Sequence, residues 1–385
     1  MIDETILARA RTAAEEVLPL AADIEAGRRL PVAAVQALVR AGVFKLLVPK
    51  VFGGSQAHPS TVIAVIEAIA RADGSAGWCT MIGATSGLMS VHLDEDIARV
   101  VYGPADAVTC GVFAPMGRAT RTEDGYRISG RWPFASGCEH SAWRMGGALV
   151  MGEKGPELLP SGAPDVRSIL FRADETKVID TWDTSGLRGT GSHDFEVADA
   201  VVPRARTFSL LTGKPKHAGY TLPFFGVLAA GVGAVGLGIA RAAIDSFVTL
   251  AQTKTPPGGK RTLAHRELVQ LDVAKAEARL RSARAFLFEA MEEAMDATAG
   301  GTEAPAALAA RARLRIAASH AAEESAAVTA LAYEAGGGSA IYAKSPLQRQ
   351  FRDAHVVTHH VMVSKTATTL AGRVLLGVES DTTTL

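Results

Sequence analysis

The hydrophobic repeat of this chain changes period twice, and that double change restricts it to a helix–strand–helix order. At the start Ile6, Ala10, Ala13, Val17 and Leu20 keep helical spacing. Val32, Val35, Leu38 and Val39 do the same after Pro31, which suits a first helical turn. Residues 49–54 break the pattern, 61–72 resume it, and 77–91 read as a further apolar helix. From about Thr109 to Pro203 the period is closer to two. Tyr126, Ile128 and Gly130 alternate with polar residues, and short β-branched runs follow at 168–171, 177–179 and 195–202. Helical spacing returns after Pro223. Val273, Ala276, Leu280, Ala283, Leu287 and Met291 form one face of a long helix. An Ala-rich helix over 306–332 follows, then Gly336, Gly337 and Gly338, then a last helical region over 345–376. The expected class is α+β: helical over 1–108, a β domain over 109–211, and helical again over 212–385.

Charge and cysteine usage narrow the function. Lys+Arg 40 balances Asp+Glu 40 with no dense basic run, which argues against nucleic acid or an anionic membrane surface as partner. Cys79, Cys110 and Cys138 are odd in number, far apart and without a CxxC pair. They read as reduced core cysteines of a cytoplasmic protein, with no disulfide framework or zinc site. The acidic start, Met1-Ile2-Asp3-Glu4, has no signal-peptide pattern. Residues 222–239 are uncharged, near the lower limit of about 17–25 residues for a membrane span. Five of them are Gly, which suits a soluble helix packed closely on its neighbours.

Several motifs bear on chemistry. The stretch 130–143 holds Trp132 and Trp143, half of the four Trp, beside Ser136 and a Gly-broken turn. It suits the edge of a planar, partly polar cofactor, or an aromatic turn over a core. Gly231-Val232-Gly233-Ala234-Val235-Gly236 matches G-x-G-x-x-G. It lacks a preceding strand and a distant acid, so helix packing is the better reading. His355 and His359 are four apart on a helical stretch and could share a metal, although only Asp353 is near. A His there could instead handle a proton or hydrogen bond at a cofactor, or be a core or surface residue. No G-x-S-x-G elbow or P-loop is present. The loop 181–195 is dense in Gly and hydroxyls, as a phosphate or polar cofactor edge would need, and as a tight β connection would also need.

Two stretches resemble a known family. Trp182 to Phe195 with Val201-Val202-Pro203 is similar to the middle-domain signature of the acyl-CoA dehydrogenase superfamily. Gly337-Gly338 followed by Leu347-Gln348-Arg349-Gln350-Phe351-Arg352-Asp353-Ala354 is similar to its C-terminal signature. The resemblance implies a barrel-like middle domain, a C-terminal four-helix bundle and a homotetramer. The dehydrogenases' catalytic Glu is replaced: counting nine on from Arg352 gives Val361. Without a base, α,β-desaturation of an acyl thioester has no agent at that place. An acyl-CoA dehydrogenase with FAD and a base elsewhere remains the alternative.

The segment Trp132-Pro133-Phe134-Ala135-Ser136-Gly137, with His360 after the Arg-Asp pair, resembles instead the two-component flavin-dependent monooxygenases of this fold. Residues 111–119 resemble their flavin-contacting loop. That resemblance implies a separate reductase supplying reduced flavin, O2, and a C4a-(hydro)peroxyflavin that hydroxylates a small aromatic or polycyclic substrate. It implies catalytic roles for His360 and Ser136. It implies cofactor contacts at Phe113, Ala114, Trp132, Phe134, Ala135, Ser136, Ser192 and Arg352. Tyr333 stands where the dehydrogenases carry a Gln for FAD, which favours FMN over FAD. Ser86 stands where phenol-hydroxylating relatives carry a His, with His92 further along, which points away from a phenol.

Overall fold

The computed structural model describes residues 1–210, 212–217, 222–299, 301 and 305–385. Residue 211, the expected end of the β domain, lies outside them.

The first helices are α1 (Glu4–Val17), α2 (Ala21–Gly27), α3 (Val32–Ala41), α4 (Pro59–Ala72), α5 (Gly74–Ser86) and α6 (Glu95–Tyr102). Each boundary has a local cause. The Asp3 carboxylate accepts the N–H groups of Thr5 and Ile6 at the start of α1. Pro59 opens α4, and the buried Asp73 caps α5 through the Ala76 N–H. The apolar run expected to stay helical to residue 91 tightens into a 3-10 turn at Gly87.

Among the described residues eight strands follow: β1 (Thr109–Arg121), β2 (Gly125–Trp132), β3 (Trp143–Gly152), β4 (Gly155–Pro156), β5 (Val166–Arg172), β6 (Lys177–Ile179), β7 (Asp194–Pro203) and β8 (Thr207–Phe208). They pair in the order β6-β7-β2-β1-β3-β5-β8, with β4 on β3. β1 and β3 run parallel, and the other pairs are antiparallel. The β1–β3 register slips between Val112 and Gly117. Pro115 lies in that slip and has no N–H to give a ladder.

Trp132 is the centre of the β core. It is fully buried, stacks on Phe195 at 4.9 Å, and donates its indole N–H to the Gly147 carbonyl at 2.7 Å. A Cβ on Gly117, Gly130 or Gly146 would lie within 3 Å of its ring. The ring occupies space that these three glycines leave vacant.

The last helices are α7 (Phe224–Thr253), α8 (Glu267–Thr298), α9 (Pro305–Gly336), α10 (Pro346–Val357) and α11 (Lys365–Leu375). α7 is long and apolar enough to cross a membrane, but 89% of its most apolar window is buried inside the protein. Its G-x-G-x-x-G glycines do the packing predicted for them. A Cβ on Gly231 would meet Met81 of α5, and one on Gly233 would meet the backbone of Ala318 on α9. The last helical region is not continuous: α10 stops at Val357 and α11 begins at Lys365.

α10 also ties the three regions together. The buried Asp353 accepts the Leu187 N–H at 2.6 Å. Arg352 pairs with Glu25 of α2 at 2.8 Å and donates to the Ser185 carbonyl, while Arg349 donates to the Ala21 carbonyl. Burial pushes the Asp353 carboxyl up to about 7, against the Leu187 N–H, which pulls it down. An acid raised in this way stabilises the fold fully below its unfolded value, and that contribution is lost as pH rises through about 7. Between about pH 5 and pH 8, wild type should therefore lose more Tm than Asp353→Asn, which keeps the acceptor and cannot ionise. Equal losses would show that Asp353 ionises as in the unfolded chain. Trp132→Ala should lower the unfolding free energy by about 3–5 kcal/mol in urea titration. A loss under about 1 kcal/mol would place that ring outside the core.

Candidate active site

One cavity of about 640 Å³ opens where the three regions meet. α5 contributes Trp78, Met81, Ile82, Thr85 and Ser86. The β1 slip contributes Phe113, Ala114 and Met116, because a strand released from its ladder can turn side chains out of the sheet. The β2–β3 and β6–β7 loops contribute Phe134, Ser136, Trp182, Leu187, Thr190 and Ser192. α7 contributes Leu228 and Val232, and the chain after α10 contributes His359, His360, Val361 and Met362. Mostly apolar walls with few convergent polar groups suit a planar ring system.

Those polar groups form one chain of hydrogen bonds. The Trp78 indole N–H donates to Ser136 Oγ at 2.9 Å. Ser136 and Ser192 hydroxyls are 2.6 Å apart, and Ser192 and Thr190 hydroxyls 2.7 Å apart. Thr190 donates to the Leu187 carbonyl at 2.8 Å, and a carbonyl can only accept. Thr190 has one proton, so Ser192 must donate to Thr190, and Ser136 to Ser192. Ser136 thus has its proton committed and one lone pair left. It is an acceptor, held in place by an indole, on the cavity wall.

Leu187 anchors this chain in a strained conformation. Its φ is 48°, in the left-handed region. Asp353 accepts its N–H, and its carbonyl accepts from Thr190 and from the Trp182 indole at 3.0 Å. Phe134 is also left-handed, at φ 64°, and stands 70% exposed at the mouth with its ring edge-on to Trp182. Such strain costs roughly 1–3 kcal/mol and persists where surroundings enforce it.

His360 faces the same cavity from the other side. Its ring lies edge-on to Trp78, centroids 5.3 Å apart. It is not helical (φ −71°, ψ 136°), and its Nδ1 accepts the Met362 N–H at 3.3 Å. Nδ1 therefore carries no proton, and the neutral ring holds its proton on Nε2 as a donor. Burial, helped by the charge of Arg315, pushes its pKa down to about 4. At neutral pH it is an uncharged hydrogen-bond donor and a poor base.

The structure sorts the sequence-predicted residues. Phe113, Ala114, Phe134, Ser136, Ser192 and His360 line the cavity. Trp132, Ala135 and Arg352 do not. Trp132 ends β2 pointing into the sheet core, and Ala135 is fully buried with its N–H on the His193 carbonyl. Arg352 faces α2 and its Glu25, while the part of α10 that reaches the cavity is Val356, one turn on. The shared helical face expected of His355 and His359 is broken by the end of α10. His355 bonds the Phe351 carbonyl, and His359 lies in the turn beyond. Trp78 and Met362 also line the cavity, though no sequence motif marks them. Trp78 leaves a signal all the same: an indole in an otherwise apolar helix needs a partner for its N–H.

Two further features bear on the reaction. Val361, at the place of the dehydrogenases' Glu, lines the cavity and is 66% exposed, and among the described residues no Asp or Glu lines it. The three cysteines are free and buried, and burial pushes Cys110 up to about 11 and Cys138 up to about 12, so neither is a ready nucleophile.

Known proteins share this fold. Residues 3–95 match the family model for the acyl-CoA dehydrogenase N-terminal domain, and 230–365 that for the C-terminal domain. The chain is 36% identical to the indole-3-acetate monooxygenase of Pseudomonas putida, over 87% of this chain and 84% of the relative. It is 27% identical to the oxygenase component of the FADH(2)-dependent resorcinol hydroxylase of a Rhizobium species, over 92% and 90%. The crystal structure of 3-HSA hydroxylase from Rhodococcus sp. RHA1 superposes with a TM-score of 0.85 at 27% identity, covering 98% of each chain. The chain belongs to the acyl-CoA dehydrogenase superfamily, in its flavin-dependent monooxygenase branch.

Proposed function

We propose that this protein is the oxygenase component of a two-component system that hydroxylates a small aromatic substrate. A separate reductase delivers the reduced flavin. The observation that carries this reading is the cavity itself: it lacks a carboxylate among the described residues, and in it Ser136 and His360 meet through Trp78. Proton abstraction from an acyl thioester has no base there.

Reduced flavin, when bound, supplies with O2 the oxygen that is transferred. The residues present fit it. The N5 of reduced flavin bears a hydrogen, and Ser136 offers only an acceptor. Oxidised flavin has an unprotonated N5, and the same lone pair would oppose it. His360 would donate from Nε2 to the reacting oxygen, a role that needs no change of charge. Phe113, Met81, Ile82, Leu228 and Val232 would hold the substrate ring and keep water out. An aromatic substrate is supported by the relatives named for indole-3-acetate and resorcinol.

FMN stands ahead of FAD in this proposal, because Tyr333 stacks on Phe351 at 4.9 Å and offers no amide to a dinucleotide. A homotetramer in the cytoplasm completes it. Exposed Leu268, Leu271, Ile341 and Tyr342 support association between subunits.

The central test is an anaerobic titration with reduced and oxidised FMN and FAD, followed by mixing with O2. The protein should be colourless as purified and should bind reduced FMN more tightly than oxidised FMN. A tightly held yellow flavin bleached by an acyl-CoA would return the dehydrogenase reading. Ser136→Ala should lose about 1 kcal/mol of that preference, roughly fivefold in Kd. No change would mean that Ser136 does not meet the ring. His360→Ala should cut hydroxylation by about 10²-fold, measured as product formed per reduced flavin consumed. The wild-type rate should show no His360 titration from about pH 5.5 to pH 8, since that ring is already neutral there.

A further inference from the structure

Among the described residues, one buried cation in the bundle has no counter-ion. Arg315 of α9 is 4% exposed. Its Nη1 donates to the Phe225 carbonyl at 3.2 Å and touches Met362 Sδ at 3.4 Å. Its Nε is buried without a partner, and among the described residues Nη2 makes no bond either. Ser319, one turn along the same helix, also buries a hydroxyl with no partner. Two other arginines show the contrast. Arg313, two residues earlier, pairs with Glu293, and the equally buried Arg144 donates to the Cys138 and Ala173 carbonyls and to Thr176. Burial pushes the Arg315 guanidinium down to about 10, so it remains charged at neutral pH.

A buried charge without a counter-ion destabilises a fold, and an apolar side chain in its place is often neutral or stabilising. The position of Arg315 shows what it could serve. Met362, on its Nη1, lines the cavity, and His360 beside Met362 feels its charge. The guanidinium is therefore one flexible thioether behind the cavity wall. Met362 Sδ, a weak acceptor, takes Nη1 on that side, where a carboxylate oxygen would make a stronger, charge-assisted hydrogen bond. Met side chains are unbranched and repack readily, so Met362 can yield.

We propose that Arg315 is the counter-charge for a carboxylate on the aromatic substrate, which reaches it past the side chain of Met362. This names the substrate class of the oxygenase reading, on which it rests: an aromatic ring bearing a short carboxylate arm. A single guanidinium suits a monoanion.

The test is equilibrium binding of indole-3-acetate, phenylacetate and 1-naphthylacetate, each against its uncharged carboxamide. It is run on flavin-free protein and again with reduced FMN. Wild type should prefer at least one carboxylate by about tenfold or more. Arg315→Met should bring that ratio to about one, leave amide and reduced-FMN binding unchanged, and raise the Tm. Arg315→Lys should keep part of the ratio. The proposal is overturned if wild type prefers no carboxylate in the panel, or if Arg315→Met keeps the ratio. It is overturned equally if Arg315→Met weakens reduced FMN but not reduced riboflavin, since the anion would then be the flavin phosphate. If wild type fails to bind reduced flavin at all, the oxygenase reading falls, and the flavin-free ratios still decide the role of Arg315.

Discussion

The site depends on a single run of hydrogen bonds that crosses all three regions. It begins at the Trp78 indole on α5 and passes through Ser136, Ser192 and Thr190 to the Leu187 carbonyl. From the Leu187 N–H it ends on the Asp353 carboxylate of α10. The run fixes where two loops lie relative to two helices. It also fixes the direction of every hydroxyl proton in it, because the hydroxyls lie between a donor-only indole and the acceptor-only Leu187 carbonyl. A hydroxyl free to rotate could serve either redox state of a flavin. Ser136, with its proton committed, is suited to one. A polar network with every donor committed is the kind that specifies a unique geometry in a low-dielectric interior.

A rigid sheet makes that run possible. Trp132 packs into the vacancy left by Gly117, Gly130 and Gly146, and its indole N–H closes on Gly147. The same strand end then turns, and four residues later Ser136 stands on the cavity wall. The motif around Trp132 therefore has two jobs in sequence order. Trp132 anchors, and Ser136 presents chemistry. The β1 slip adds the third wall: residues out of register with β3 send Phe113 and Met116 into the cavity. Near Gly147 the slipped backbone comes so close that a Cβ there would meet the Phe113 carbonyl at 2.3 Å.

The chain after α10 supplies the opposite wall by ceasing to be helical. Helical spacing in sequence runs on through 345–376, with no Pro or Gly between Pro346 and Gly372 to stop it. The break comes from side chains. The Thr358 hydroxyl turns back onto the His355 carbonyl, and His360 accepts the Met362 N–H in place of the helix ladder. That break brings His360, Val361 and Met362 to the cavity and carries His355 away from it. Short polar side chains competing with backbone bonds leave a weak mark in a hydrophobic pattern, so periodicity alone misses them.

The sequence by itself determined the order of helices and strands, because burial periods of 3.6 and 2 are local and repeated many times. It determined the close packing of α7, through its glycines. The signatures around Trp132–Gly137 and Arg352–Asp353 carried the family. The sequence could not decide which members of a motif face a ligand. Trp132 and Ser136 are four residues apart in one motif, and only the sheet's alternation and the bonds to His193 and Thr190 send one inward and the other to the cavity. Nor could it show that Trp78 links Ser136 to His360, or that Arg315 lies behind Met362 without a counter-ion. Those contacts join residues tens to hundreds of positions apart, and their energies depend on burial and direction, which exist only once the chain has folded.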